Sequence, residues 1–239
     1  MEIVKAKEIR MEHLNVLIYG DSGVGKTTII ATAPGPVLVL DMEGGSLPLA
    51  GKDVDLVKVE SPDAIREVLA RLKNGELEYK TVALDSITEM YKVIMDEVIK
   101  TNPQVSRAYT DQASQSDYGR ATELMRRAIR AFRDLPVNVI FTALAQDQKD
   151  EVDGTITRLP SLPGKLAYEL AGYVDIVGYM FTKIDKDNGG EIKRGVLVQP
   201  QGKVIAKDRT SKLGQAVIPD IGKWISAVGG NGKKKGGNK

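Results

Sequence analysis

Four short apolar runs divide the first two thirds of the chain: Leu14 to Tyr19 ending at Gly20, Val37 to Leu40 ending at Asp41, Thr81 to Leu84 ending at Asp85-Ser86, and Val137 to Thr142. None alternates with polar residues, so each predicts a strand covered on both faces, as in a parallel sheet. Between them the period lengthens to that of a helix. Lys26 to Ala33 reads as a helix stopped by Pro34-Gly35-Pro36, which a helix cannot cross. Ser61-Pro62-Asp63 offers a cap, a first-turn proline and an acid ahead of Ile65, Val68, Leu69 and Leu72, and Gly75 closes that helix. A third helix puts Ile87, Met90, Tyr91, Ile94, Met95 and Val98 on one face. A fourth, from Tyr118, sets Ala121, Leu124, Met125, Ala128, Ile129 and Phe132 against a solvated face of Arg126, Arg127, Arg130 and Arg133.

The pattern then changes. Thr101 to Asp117 has no period and predicts a long polar loop. Asp153-Gly154 and Asn188-Gly189 are hairpin signals. They predict an antiparallel end with strands near Val174 to Phe181, Gly195 to Gln199 and Lys203 to Ala206. The expected fold class is α/β, a mainly parallel central sheet flanked by helices with antiparallel C-terminal strands and hairpins. One domain spans 1–228, and 229–239 is a Gly/Lys-rich tail that predicts disorder.

Composition changes this picture little. The 239 residues are 42% hydrophobic and 28% charged, enough to enclose a core. The absence of cysteine excludes disulfides, thiolate metal sites and a cysteine nucleophile. The opening residues lack a signal-peptide core and no apolar run reaches bilayer length, so a soluble, cytoplasmic protein without membrane contact is expected. The tail carries four lysines, and removing them from the net charge of +2 leaves the body at −2. Such a tail fits a solubilising terminus or a salt-sensitive hold on nucleic-acid phosphate.

The candidate chemistry is concentrated where strands end. Gly20-Asp21-Ser22-Gly23-Val24-Gly25-Lys26-Thr27 matches the phosphate-loop pattern G-x-x-x-x-G-K-[ST], between a predicted strand and a helix, and Thr28 follows it. Glycines let backbone N–H groups turn toward phosphate oxygens. Lys26 is expected to reach the β and γ phosphates of ATP, and the Thr27 hydroxyl to ligate magnesium. Asp85, at the end of the third strand, is expected to hold that magnesium through water. Glu43, in Asp41-Met42-Glu43-Gly44-Gly45 after the second strand, is placed to polarise an attacking water. His13, the sole histidine, reads as structural. Asp185 to Gly190 is rejected as a calcium loop because its twelfth position is Val196.

With these residues in place the chain, from about Leu14 to Lys207, resembles the RecA-like recombinase core: a phosphate loop, then strand-Asp-x-Glu-Gly, then an apolar strand ending Asp-Ser. It looks most similar to the small phage-encoded ATPases of that core used in single-strand annealing and recombination. The resemblance implies water activation by Glu43. A second likeness, Val204 to Arg209, resembles the Lys-x-Arg finger of hexameric helicases. It implies that Lys207 and Arg209 complete a neighbouring subunit's ATP site in a homo-oligomer, ring or filament. The resemblance to the RecA-like core further implies that loops at Thr101–Asp117 and Gln146–Lys165 hold single-stranded DNA, with Arg107, Tyr109, Lys149, Arg158 and Lys165 as contacts. A single-strand-binding protein is a further implied partner, and a bacterial host cytosol the implied compartment. Relatives place a γ-phosphate-sensing glutamine directly after the fourth strand; here Gln146 comes late, leaving the role to Thr142 or Gln146. Two other readings remain open: a nucleotide-dependent partner switch that never touches DNA, and a small-molecule kinase, for which the sequence offers no arginine-rich lid.

Overall fold

The apolar runs become the middle of one sheet in a computed structural model, which describes residues 5, 11–102, 113–185 and 189–229. Its elements in chain order are β1 (Asn15–Gly20), α1 (Lys26–Ile30), β2 (Val37–Asp41), β3 (Asp55–Lys58), α2 (Pro62–Lys73), β4 (Thr81–Asp85), α3 (Ile87–Thr101), α4 (Gln115–Arg133), β5 (Asn138–Lys149), β6 (Ile156–Pro160), α5 (Leu166–Tyr173), β7 (Ile176–Asp185), β8 (Glu191–Leu197), β9 (Lys207–Asp208), β10 (Ala216–Val217) and α6 (Ile221–Gly229). The strands run in the order β10-β8-β7-β1-β5-β4-β2-β3, with β6 paired to β5 and β9 to β7. From β3 to β7 the path is parallel, while β8, β10, β6 and β9 join antiparallel. This is the expected α/β class, a mainly parallel central sheet with antiparallel strands added to it. Among the described residues no helix is long and apolar enough to cross a membrane.

The two faces are covered unequally. On one, α2, α3, α4 and α5 pack Ile65, Met90, Ile94, Met125, Ile129, Phe132 and Leu170 over Leu17, Leu40, Leu84 and Phe141. On the other, α1 and α6 pack Ile29, Ile30, Ile221 and Trp224 over Val16, Ile18, Val39 and Ile140. The alternate residues of each central strand thus go to opposite cores, which is why those strands read as unbroken apolar runs. Caps hold the helices as the sequence predicts: Ser61 Oγ accepts from the Ala64 N–H, and Ser86 Oγ from the Glu89 N–H. Ser114 and Asp117 add a full capping box on α4.

Several expectations change. The first helix stops at Ile30 instead of Ala33, because the Thr32 hydroxyl turns back to donate to the Ile29 carbonyl at 2.6 Å and also accepts the Ile221 N–H at 2.8 Å. Lys203 to Ala206 is not a strand; Val204 makes only isolated bridges to Arg158 and Gln201, and the short strand is Lys207–Asp208. The fourth strand does not end at Thr142 but runs to Lys149, parallel to Leu144 and then folded back on β6 around the Asp153-Gly154 turn. The Thr101–Asp117 loop is shorter than expected, since α3 includes Thr101 and α4 begins at Gln115. Arg107 and Tyr109, Asn188 of the second hairpin signal, and residues 230–239 of the tail lie outside the described residues, while Gly229 closes α6. β3, α5 and α6 were not predicted.

Candidate functional site

The phosphate loop, Glu43 and Asp85 meet at the carboxyl edge of β1, β2 and β4. The first glycine has a packing reason: a Cβ on Gly20 would stand 2.5 Å from the Met180 carbonyl oxygen on β7. Gly23 (φ 78°) and Gly25 (φ 109°) occupy the left-handed region that side chains avoid. This curl lets the loop close on its own lysine. Lys26 is buried, and its Nζ donates to the Gly20 and Asp21 carbonyls at 3.0 and 2.8 Å. Burial pushes its pKa down, opposed in part by the charges of Glu43, Asp85 and Asp21. Asp21, Ser22 and Thr28 are exposed, while Val24 packs into the core around α1.

One strand, β5, separates β1 from β4, and across it the loop reaches the end of β4. Thr27 Oγ1 donates to Asp85 Oδ2 at 2.7 Å. The other oxygen, Oδ1, accepts from the Thr142 hydroxyl, which also donates to the Leu84 carbonyl. Thr142 is fully buried and faces Asp85. In this arrangement its hydroxyl supports the carboxylate. After Asp85 a cis peptide leads to Ser86, the cap of α3.

Ser86 Oγ donates to Glu43 Oε1 at 2.6 Å, fixing the exposed glutamate on the side chain that follows Asp85. The loop bearing Glu43 is shaped from below. Asp41 Oδ1 accepts the Glu43 and Gly44 N–H groups at 3.1 and 2.8 Å, and the Met42 N–H donates to the Asp85 carbonyl. Thus two strand ends share one network. Among the described residues no group of three or more carboxylate or histidine side chains is placed to hold a metal ion. A hydroxyl and a single buried carboxylate in contact suit magnesium, which keeps much of its water and takes other oxygens from phosphates.

The remaining candidates lie apart from this network. Gln146 is half-buried on β5 and bonds the turn before α5: Nε2 donates to the Leu162 carbonyl and Oε1 accepts from Ser161 Oγ. Arg158 stands on β6 and is held by acids of its own chain: bidentate on Asp147 at 2.8 Å, 3.4 Å from Asp21, and on the Tyr179 hydroxyl at 2.6 Å. These bonds hold its guanidinium protonated and the Asp147 carboxyl below its usual range. Lys149 and Lys165 are exposed, one at the end of β5 and the other before α5.

Lys207 and Arg209 are at the other end of β7. Lys207 Nζ donates to the Ala171 carbonyl, and Arg209 donates to the Gly172 carbonyl at 2.8 Å and to Asp175 at 3.1 Å. Both finish the C-terminus of α5, where carbonyls lack intrahelical partners. Burial and the Arg209 charge push the Lys207 pKa down. Sequence reasoning missed Asp41, Ser86 and Arg194 as site residues. The first two stood in quoted motifs, while Arg194, whose Nε donates to the Val24 carbonyl at 3.1 Å, had no local signal at all.

Comparison with known proteins gives a family. The model described as AAA domain (AAA_24) matches residues 12–210. No curated protein matches. Among solved structures, the chain is similar to a KaiC-like protein from the hyperthermophilic archaeon Pyrococcus horikoshii OT3, with 17% identity, 80% of each chain covered and a TM-score of 0.41. It is also similar to the flagellar accessory protein FlaH from Methanocaldococcus jannaschii, with 10% identity, 82% of this chain and 79% of that one covered, and a TM-score of 0.43.

Proposed function

We propose, from the premise that the chain belongs to the AAA domain family AAA_24, that it is a magnesium-dependent ATPase whose turnover is tied to self-assembly. The observation that supports this reading is the pair of hydrogen bonds Thr27–Asp85 and Ser86–Glu43, which join the phosphate loop and the ends of β2 and β4. Lys26 and the turned backbone of Gly20–Gly25 bind the phosphates. Magnesium, when bound beside Thr27 and Asp85, neutralises charge on the β and γ phosphate oxygens. Glu43, held by Ser86, accepts a proton from the water that attacks the γ phosphorus; the bond to the β-phosphate oxygen breaks, and ADP and phosphate leave.

What lies beyond hydrolysis rests on the resemblance. A homo-oligomer would bring a cation from a neighbour to the γ-phosphate, and of the Lys-x-Arg pair Arg209 is the one a neighbour can reach, being about half exposed. Single-stranded DNA, annealed or paired within such an assembly, is the proposed cargo, with Lys149 and Lys165 as exposed cations. A second reading, a partner switch without DNA, is favoured by one observation: Arg158 is neutralised by Asp147 and Asp21. Steady-state ATPase rates against protein concentration, with and without single-stranded DNA at two salt levels and Lys26→Ala as blank, separate these. Turnover that rises with concentration and with DNA, less so at high salt, is the expected result. Turnover indifferent to DNA at both salts transfers the reading to the partner switch, and turnover equal in Lys26→Ala removes the site altogether.

A further inference from the structure

The β7–β8 hairpin brings a second cation to the phosphate loop. Arg194 stands opposite Thr182 in the antiparallel register, two residues along β8 from Val196 and so on the same face. On that face Met180 and Val196 pack with Val24 of the loop and Ile29 of α1. The contact is close: Arg194 Cδ and Nε lie 3.2 Å from where a Cβ on Gly25 would stand, and Nε donates to the Val24 carbonyl at 3.1 Å.

The way this arginine is used sets it apart. Arg66, Arg126, Arg158 and Arg209 each sit on a carboxylate, whereas Arg194, among the described residues, forms no ion pair and spends only Nε. Its side chain is exposed, leaving the two terminal nitrogens of the fork available. The same loop already carries Lys26 on the Gly20 and Asp21 carbonyls. Lys26 has the charges of Glu43, Asp85 and Asp21 near it, whereas among the described residues no carboxylate pairs with Arg194. A guanidinium anchored through Nε presents its remaining N–H groups in a fixed fork that matches phosphate oxygens.

We propose that Arg194 is a nucleotide-binding residue that bonds the phosphate chain held by Gly20–Thr27, approaching from the hairpin side. This rests on the phosphate-loop reading above. The ligand part is the phosphate chain and not the nucleoside, because a free charged fork is matched by an anion and the nucleoside is neutral.

Calorimetric titration of the full chain with magnesium-ADP and with magnesium-tripolyphosphate tests it, using Lys26→Ala, Arg194→Ala and Arg194→Lys. Arg194→Ala is expected to weaken both ligands by roughly tenfold to a hundredfold, the usual loss for a charge-assisted hydrogen bond, and Arg194→Lys by less. The ligand-free variant should melt where the unmodified chain does. Unchanged affinity in Arg194→Ala overturns the proposal, as does a loss seen with ADP but not with tripolyphosphate. A fall in ligand-free melting temperature alongside the affinity would reduce Arg194 to a brace for the loop and overturn it too. If the unmodified chain binds neither ligand, the phosphate-loop reading fails with it; if only Lys26→Ala loses binding, that reading stands and Arg194 alone is wrong.

Discussion

The two ends of the central strands use polar side chains in opposite ways. At the carboxyl edge, side chains from separate elements bond one another: Thr27 of α1 and Thr142 of β5 share the Asp85 carboxylate, and Ser86 holds Glu43 from the next strand. At the amino edge of β7, Lys207 and Arg209 close on backbone carbonyls at the end of α5. A buried polar network costs desolvation wherever it stands. Capping a helix offsets that cost by satisfying carbonyls that would lack partners, so the amino edge is explained within one chain. The carboxyl edge is not, because Glu43 is exposed and Lys26, more deeply buried than Lys207, caps no helix end. In the proposed function, a nucleotide contributes the missing partners at that edge.

The sharpest break in this contrast is Glu43→Gln. A lost general base typically costs 10²–10⁴ in rate, so turnover should fall by about that factor while nucleotide affinity, read by titration, stays within roughly twofold. Turnover equal to the unmodified chain would take Glu43 out of the chemistry. Next in size is Thr142→Val, which removes one of the two hydroxyls on Asp85 without changing side-chain shape much. Partners of metal-binding groups are commonly worth 10–100-fold in metal affinity. The magnesium concentration for half-maximal turnover should therefore rise by about that factor, with saturating turnover nearly kept. A variant with unchanged magnesium dependence would leave Thr142 as packing only.

The Lys26 shift gives a pH prediction. Because burial lowers its pKa in the nucleotide-free chain, the ammonium starts to lose its proton at a lower pH than a free lysine, and phosphate charge restores it on binding. Between the free and bound pKa values, nucleotide binding must take up a proton; well below that window it takes up none. Calorimetry of ADP in buffers of different ionisation enthalpy reads this directly. Equal heats across buffers throughout the alkaline range would contradict the shift.

Much of the carboxyl edge was legible in the sequence because it is written contiguously. The phosphate loop, Asp85 and Glu43 each follow an unbroken apolar run, and burial of the central strands on both faces makes such runs stand out. What was not legible is what tertiary contact decides. β3 is an edge strand in which Asp55, Leu56 and Lys58 are exposed, so Asp-Leu-Val-Lys shows neither a run nor a period. α5 and α6 are 8 and 9 residues long, too short for a helical period to declare itself. The far half of β5 pairs only with β6 and shows water-facing residues from Asp147 to Lys149, so it reads as loop. The bonds of Thr142 to Asp85, Ser86 to Glu43 and Arg194 to Val24 join residues 57, 43 and 170 positions apart, and no local spacing encodes them. Lys-x-Arg shows the converse case, a short motif that is legible while its bonds within this chain serve a helix end.

The smallest predicted effect tests that last point. If Lys207 caps α5, Lys207→Met loses a charged donor on the Ala171 carbonyl but also relieves a half-buried cation whose charge is disfavoured. The two oppose, so the roughly 1.5–3 kcal/mol usual for a hydrogen bond to a charged group is offset in part and a net loss of about 1 kcal/mol is expected, read as a lower midpoint in urea. The relief term also fixes a sign. Lys207 has a folded pKa below its unfolded one, so its charge disfavours folding below the folded pKa, and that penalty fades as pH rises through it toward the unfolded value. The variant lacks this titration, so its deficit relative to the unmodified chain should widen across the same alkaline range. A deficit that stays constant with pH would mean that the Lys207 ammonium is as well solvated folded as unfolded. A large loss of turnover at unchanged stability would instead move the lysine from the helix end to a neighbour's phosphate, and make the two edges two halves of one site.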